Sequence, residues 1–334
     1  MGGVEQCAST YSKINELSSK IELISIVPDK GVSYKKYLSG KVCEVNIRNK
    51  AAFFFKIFKI LFRERPEFFI FHSSRALKFV KFLAFFLKIK IIGVNHGFNL
   101  RKFVKKADII FCINSDQLEK TKKLINNGSA KAIIVPNFTE VKKEIDRVKE
   151  PADEIIIGTL SRIDFEYKNL DKVVGAARIL KNQGLKFKFH IGGDFGEIDK
   201  LKKMVSDSDL DQEFVYKGLI VDKEKFFSEI DIFCMPSKNE TFGISYVEAM
   251  ANKVAVIATN NDGARDIFEH EKTGIVIEKE DPDKISQLIA SSIGFLAKNP
   301  GKSQEIAENA YEIAQNRYSC EAMREVFEGI GVIF

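Results

Sequence analysis

The stretch Ile230-Asp231-Ile232-Phe233-Cys234-Met235-Pro236-Ser237-Lys238-Asn239-Glu240-Thr241-Phe242-Gly243-Ile244-Ser245-Tyr246-Val247-Glu248-Ala249-Met250 decides the fold. Its first part is short, apolar and stopped by proline, the pattern of a buried parallel strand. Residues 237–243 then form the loop at the carboxyl end of that strand, and from about Gly243 the residue types favour helix. Backbone N–H groups of Gly243, Ile244 and Ser245 would open that helix with a partial positive charge, and Gly243 has no side chain to block an approaching anion.

Glu248 falls in the second turn of such a helix while Glu240 stays on the loop, beside the Phe242-Gly243 step. Carboxylates accept hydrogen bonds from vicinal hydroxyls. A ribose on Glu248, a diphosphate at the helix start and a hexose on Glu240 fit this layout. An ordinary amphipathic helix with solvated acids fits the same spacing, so the rest of the chain has to discriminate.

Working outward, strand-like and helix-like segments alternate along the chain. Residues 21–27, 68–72, 89–94, 107–113 and 132–135 read as buried strands in the first half, with helical stretches at 4–19, 51–63 and 75–87. The second half has strands at 154–159, 186–191, 214–216, 230–234, 254–258 and 274–277. This alternation predicts two doubly wound α/β domains with ligands at the carboxyl ends of the strands. We expect a first domain over 1–138, a linker over 139–152 and a second domain over 153–310. A last helix within 311–334, centred on 311–327, is expected to pack back on the first domain. A domain of this kind is expected to open with a strand feeding its first glycine turn, yet Met1 is followed at once by Gly2-Gly3-Val4-Glu5, so either the first strand has been lost or the reading frame begins late.

The 334 residues suit two domains, and 45% hydrophobic residues can fill two cores. The five cysteines, Cys7, Cys43, Cys112, Cys234 and Cys320, form no Cys-x-x-Cys pair, so neither a disulfide framework nor a zinc site is suggested, and a reducing cytosol is the simplest home. The four histidines do not cluster in sequence at metal-ligand spacing. No charged-then-apolar leader and no apolar run of about 18 residues is present, so a cytoplasmic protein that does not span a membrane is expected. Charge is uneven. Residues 1–150 hold 29 Lys and Arg against 14 Asp and Glu, net +15, whereas residues 151–334 carry a net −9.

Other loops fall at the same edges. Arg162 and Lys168 follow the strand at 154–159 and lead into an apolar-periodic helix, where a guanidinium and an ammonium can neutralise a diphosphate. Gly192-Gly193-Asp194 closes the strand at 186–191 and lets backbone approach a ligand. Asn95-His96-Gly97-Phe98 places an imidazole at the carboxyl edge of the first domain. His72 is a weaker candidate there, and His190 and His270 read as structural.

Gly2-Gly3-Val4-Glu5, His96-Gly97, Val135-Pro136-Asn137, Arg162 through Lys168-Asn169, Gly192-Gly193-Asp194 and the Glu240 to Glu248 pair, in this order, resemble the retaining glycosyltransferases of family 4. The resemblance covers nearly the whole chain. It implies the GT-B fold, two Rossmann-like domains facing a central cleft, and transfer of a hexose from a UDP-, GDP- or ADP-sugar to an acceptor hydroxyl without a metal. Glu248 would then bind the donor ribose, Glu240 the sugar hydroxyls, and Arg162 with Lys168 the diphosphate. Gly3, Gly193, Phe242, Gly243 and Ile244 would line the donor site, and His96 would contact the transferred sugar. Asp266 stands where similar enzymes have a glutamate, so that contact is shortened.

Residues 51–90 hold twelve phenylalanines interleaved with Lys and Arg. A basic, aromatic helix of this kind can lie on an anionic bilayer, or its rings can be core. In similar enzymes this half binds the acceptor, which implies a lipid-linked or lipopolysaccharide-type glycan at the cytoplasmic membrane face. The alternatives are a sugar-nucleotide epimerase on the same fold, a degenerate binder of nucleotide sugar, and a nucleic-acid binder using the basic half. The last lacks any recognisable nucleic-acid module, and no nucleic acid is expected as a partner.

Overall fold

In the computed structural model the alternation resolves into parallel sheets flanked by helices. The structure describes residues 3–19, 21–28, 38–46, 48–72, 77–96, 107–125, 130–145, 147, 153–193, 196–278 and 281–333. The chain forms two units, Met1–Glu140 with Ser319–Phe334, and Val141–Tyr318.

In the first unit β1 (Ile24–Pro28) and β2 (Lys41–Val45) pair in parallel as a small sheet. The strands β3 (Phe68–Phe71), β4 (Lys90–Asn95), β5 (Ile109–Cys112) and β6 (Lys131–Ile134) form a second parallel sheet in that order. β2 escapes a sequence reading because Lys41 and Glu44 break any apolar run. The helix Lys50–Glu64 starts at Asn49, whose side chain accepts from Ala52 N, and stops at Arg65 in the left-handed region. It buries Phe53, Ile57, Ile60 and Leu61 in a core shared with Val80, Leu83 and Ala84 of the helix Leu77–Leu87. Each such apolar side chain contributes about 1.5–3 kcal/mol on burial. Phe55, Phe58 and Phe62 of the first helix and Phe82, Phe85 and Phe86 of the second remain exposed.

The single helix expected over 311–327 is two. Pro300–Tyr318 ends, Ser319 bridges to Thr139, and Cys320–Ile333 begins with Ser319 Oγ accepting from Ala322 N. Backbone pairing with Thr139 and a serine cap outweigh the helical periodicity there. Phe327 of the second helix meets the rings of Tyr11 and Phe138 at centroid distances of 5.1 and 6.4 Å.

The second unit carries six parallel strands, β7 (Ile155–Leu160), β8 (Phe187–Gly192), β9 (Phe214–Gly218), β10 (Ile232–Met235), β11 (Ala255–Thr259) and β12 (Ile275–Ile277). Their spatial order is β9-β8-β7-β10-β11-β12. The order reverses between β7 and β10, and at such a switch point the loops leaving the two strands diverge and open a crevice for ligand. Just inside this unit, the buried Val141 and the Arg147 guanidinium, which donates to the carbonyls of Phe227 and Asn252, tie the entering chain to it.

Candidate functional site

The quoted stretch folds as its residue types dictate. β10 ends at Met235, and the loop through Gly243 leads into the helix Ile244–Ala251. Gly243 caps that helix in the left-handed region at φ 85°, and a Cβ there would collide with the Tyr246 ring. Only glycine makes this turn at no strain. The loop is braced from three sides. Tyr246 hydroxyl donates to Met235 O at 2.9 Å, Asn261 Nδ2 donates to Ser237 O at 3.1 Å, and Gly263 N donates to Glu240 O at 2.9 Å. Burial pushes the Tyr246 phenol well up, so it remains a neutral donor. Phe242 is buried and packs edge-on against Tyr318 at 5.7 Å, while Ile244 is half-buried.

Both carboxylates of the quoted stretch hold lysines. Glu240 Oε2 lies 2.6 Å from Lys168 Nζ, and Glu248 Oε1 lies 2.6 Å from Lys223 Nζ. Glu248 sits buried on the helix, Glu240 half-buried on the loop. Lys223 was not singled out by sequence, because it opens a separate helix, Lys223–Glu229, 25 residues earlier.

Lys168 ends the short helix Phe165–Lys168, capped by Asp164, instead of lying in open loop. The next residue, Asn169, adopts the left-handed region and donates to Pro236 O at 2.9 Å, and Lys238 N donates to Tyr167 O at 2.8 Å. The loops after β7 and β10 are thereby stitched together. Arg162 is exposed and pairs with Asp164 at 2.6 Å. It borders a cavity of about 870 Å³ lined by Phe165, Glu166, Asp171, Lys200 and Met204, apart from Lys168, Glu240 and Glu248. Gly193 has φ 141°, and a Cβ there would run into the Ser161 carbonyl. Its close approach serves loop packing, with Ser161 N donating to Gly192 O at 3.1 Å. Asp266 lies in the helix Asp262–Ile267, and its carbonyl accepts from Tyr318 hydroxyl at 3.4 Å.

In the first unit, Gly3 opens the helix Gly3–Ser12, and His96 follows β4 directly. Gly2, Gly97, Phe98 and Asp194, named in the sequence reading, lie outside the described residues. His96 Nε2 faces His72 Nδ1 at 3.0 Å, one nitrogen carrying the shared proton, and the two rings stack at 5.2 Å. Burial pulls His72 down to about 3, with the neighbouring His96 adding to it, and burial alone pulls His96 down to about 4. Both imidazoles are therefore neutral near pH 7. Cys7 on the first helix donates its thiol to Asn137 Oδ1 at 3.2 Å, and burial pushes that thiol far up. Ligating atoms of Cys7, His72 and His96 all lie within 4.8 Å of one another. Histidines scattered in sequence thus meet in space. The other two are structural: His190 is buried on β8, and His270 Nδ1 accepts from Val276 N at 3.0 Å to close a turn.

The family model described as glycosyl transferases group 1 matches residues 140–313. The chain is 26% identical to the poly(ribitol-phosphate) alpha-N-acetylglucosaminyltransferase of Staphylococcus aureus (strain COL), over 71% of this chain and 49% of that protein. It is 27% identical to the poly(glycerol-phosphate) alpha-glucosyltransferase of Bacillus subtilis (strain 168), over 64% of this chain and 31% of that one. The chain therefore spans about half or less of the length of these relatives. Anabaena HepE, solved in complex with UDP, superposes with a TM-score of 0.82 at 17% identity, covering 100% of this chain and 97% of that one. At that identity the likeness speaks for the fold, which is the GT-B class.

Proposed function

The chain belongs to the group 1 glycosyl transferases, and on that premise we propose that it moves a hexose-type sugar from a nucleoside-diphosphate donor to a hydroxyl of a cell-surface glycan or lipid-linked acceptor, with retained anomeric configuration, as family 4 enzymes do. The observation that carries this reading is the pair of lysine-held glutamates flanking the Gly243 turn at the sheet's switch point. An ammonium has three donors, so Lys168 can orient Glu240 and still meet a phosphate oxygen. A carboxylate can accept several hydrogen bonds, so Lys223 at one oxygen of Glu248 is compatible with ribose hydroxyls.

As the bond from the anomeric carbon to phosphate breaks, its electron pair passes to the leaving nucleoside diphosphate. Lys168 and the amide N–H groups near Gly243 stabilise the charge that develops, without a metal, and Arg162 joins them by exchanging its Asp164 partner for the diphosphate. The acceptor oxygen bonds to the same face of an oxocarbenium-like centre, and its proton passes to a donor phosphate oxygen. Glu240 holds the sugar hydroxyls, and neutral His96 contacts the sugar near the reacting carbon. The relatives' names, both specifying alpha products on polyol-phosphate polymers, support an acceptor of the cell envelope. UDP bound to the structural neighbour supports a uridine donor.

The exposed Phe55, Phe58, Phe62, Phe82, Phe85 and Phe86, interleaved with Lys56, Lys59, Arg63 and Lys81, support docking on an anionic membrane surface where such an acceptor is presented. Among the described residues no helix is long and apolar enough to cross a membrane.

The test is calorimetric titration with UDP-, GDP- and ADP-sugars, comparing the wild type with Glu248→Ala. Saturable binding of one donor, lost in the variant, is expected. Binding of none would return the reading to a degenerate protein, and donor consumption without acceptor would point to an epimerase.

A further inference from the structure

The Cys7, His72 and His96 cluster uses a residue combination that sugar transfer does not require. A thiol and two imidazoles converge at the carboxyl edge of the β3-β4-β5-β6 sheet, from the helix Gly3–Ser12 and from the residues next after β3 and β4. Thiolate and imidazole together select borderline-soft, d-block cations over magnesium or calcium, which prefer oxygen ligands. We infer that Cys7 Sγ, His72 Nδ1 and His96 Nε2 form a binding site for a zinc-like divalent cation.

The geometry is close to what such an ion demands. Zinc binds nitrogen at about 2.0–2.1 Å and sulfur at about 2.3 Å, so tetrahedral ligands lie roughly 3.4–3.6 Å apart. The two ring nitrogens already face each other at 3.0 Å, and all three ligand atoms lie within 4.8 Å. Shifts of about an ångström complete the set. The cation takes the place of the proton shared between the rings, which moves to the far nitrogen of the imidazole that carried it so that both rings stay neutral, and Cys7 releases its thiol proton to solvent as the sulfur–metal bond forms. Asn137 Oδ1, which accepts the thiol hydrogen at 3.2 Å, then has lost that donor and can hold a water on the fourth position. The donor set lacks a carboxylate, and two neutral ligands with one thiolate leave a net single positive charge, so an anion or hydroxide is the natural fourth partner. Occupation also withdraws His96 from the sugar, so the cation would inhibit transfer. That consequence rests on the role proposed for His96, whereas the site itself does not.

Cobalt(II) added to the reduced, metal-free full chain reads the site directly. One equivalent is expected to give visible d–d bands of a tetrahedral centre and a near-ultraviolet thiolate-to-cobalt band, both displaced by zinc. In Cys7→Ser the thiolate band should vanish, and in Cys7→Ser and His72→Asn zinc affinity should fall about tenfold or more. Absence of these bands in the wild type overturns the inference, as does a thiolate band unchanged in Cys7→Ser, which would place the metal on another cysteine such as the half-buried Cys43. Far-UV dichroism checks that each variant is folded. If Cys7→Ser is not, His72→Asn decides alone, and unchanged zinc affinity in it overturns the site. Donor titration of the same metal-free protein is independent of these bands, so loss of the transferase reading and loss of the metal site appear separately.

Discussion

Lys168 and Glu240, 72 residues apart in the chain, meet at 2.6 Å and join the loops that leave β7 and β10, the two strands between which the sheet order reverses. The two side chains are only 18% and 20% exposed, so removing the lysine leaves a carboxylate largely withdrawn from water without its partner. The pair's position at the switch point adds a second consequence. Lys168→Met should lower the melting temperature and, where the variant is still folded, lower kcat/KM by about 10²–10³, the usual effect of deleting one preorganised donor to a developing anion. Initial rates at subsaturating donor measure it, and a variant that keeps wild-type kcat/KM removes Lys168 from the site.

Gly193 makes an opposite kind of prediction, structural first and functional second. Its φ of 141° and the Ser161 carbonyl standing where a Cβ would go leave Gly193→Ala no rotamer to relax. The obstacle is backbone, so the strand-end loops must part. The variant should lose about 2–3 kcal/mol, which for a unit of this size lowers Tm by roughly 5–10 °C. Weaker donor binding should follow. Thermal unfolding with and without nucleotide checks both, and an unaltered Tm would show that the loops tolerate separation.

How legible this was depended on whether partners are close in sequence. The strand, turn and helix over 230–250 could be read in one pass because Met235, Gly243, Glu240 and Glu248 act within a single βα step. Lys223 and Asp164, which hold Glu248 and Arg162, could not be singled out, since a Lys or Asp at a helix start looks like any cap. Cys7, His72 and His96 come from three elements and carry no spacing signal, so only the fold brings them together. β2 is hidden in the sequence because its outward charges mask the strand pattern, and the break at Ser319 because the backbone that pairs there is Thr139, 180 residues away.

The histidine pair should make stability depend on pH with a definite sign. In the folded chain His72 titrates at about 3 and His96 at about 4, both depressed by burial, whereas in the unfolded chain both protonate near pH 6.5. The unfolded state therefore binds more protons below about pH 6.5, and stability is lost as pH falls from there toward the folded values. Above that pH the stabilising contribution is complete. Two groups give a slope of up to about 2.7 kcal/mol per pH unit. Urea unfolding at a series of pH values should show this slope in the wild type and lose most of it in a His72→Asn, His96→Asn double variant. Parallel curves for the two proteins would mean that the pair is solvated.

Among the described residues of the helices Lys50–Glu64 and Leu77–Leu87, six phenylalanines stand exposed. Phe85 is 81% exposed and Phe55 68%, on helices whose other faces bury Ile57, Leu61, Val80 and Leu83. Water is a poor solvent for such a patch, and its interleaved lysines argue for an apolar phase with an anionic border over a neutral protein surface. Exposed positions contribute little to folding, so Phe55→Ser with Phe85→Ser should change stability by no more than about 0.5 kcal/mol each. Vesicle affinity should respond to both forces. Removing the two rings should weaken binding to phosphatidylglycerol vesicles at any salt concentration. Lys56→Ala with Lys59→Ala should weaken it by about fivefold per charge at low salt and much less at high salt, as charge attraction of about 1 kcal/mol per residue requires. Nucleotide affinity should be untouched in every case, since these residues lie in the first unit and the lysine-held glutamates in the second. Cosedimentation with vesicles at two salt concentrations separates the contributions, and equal sedimentation of all variants would leave the patch without a membrane role.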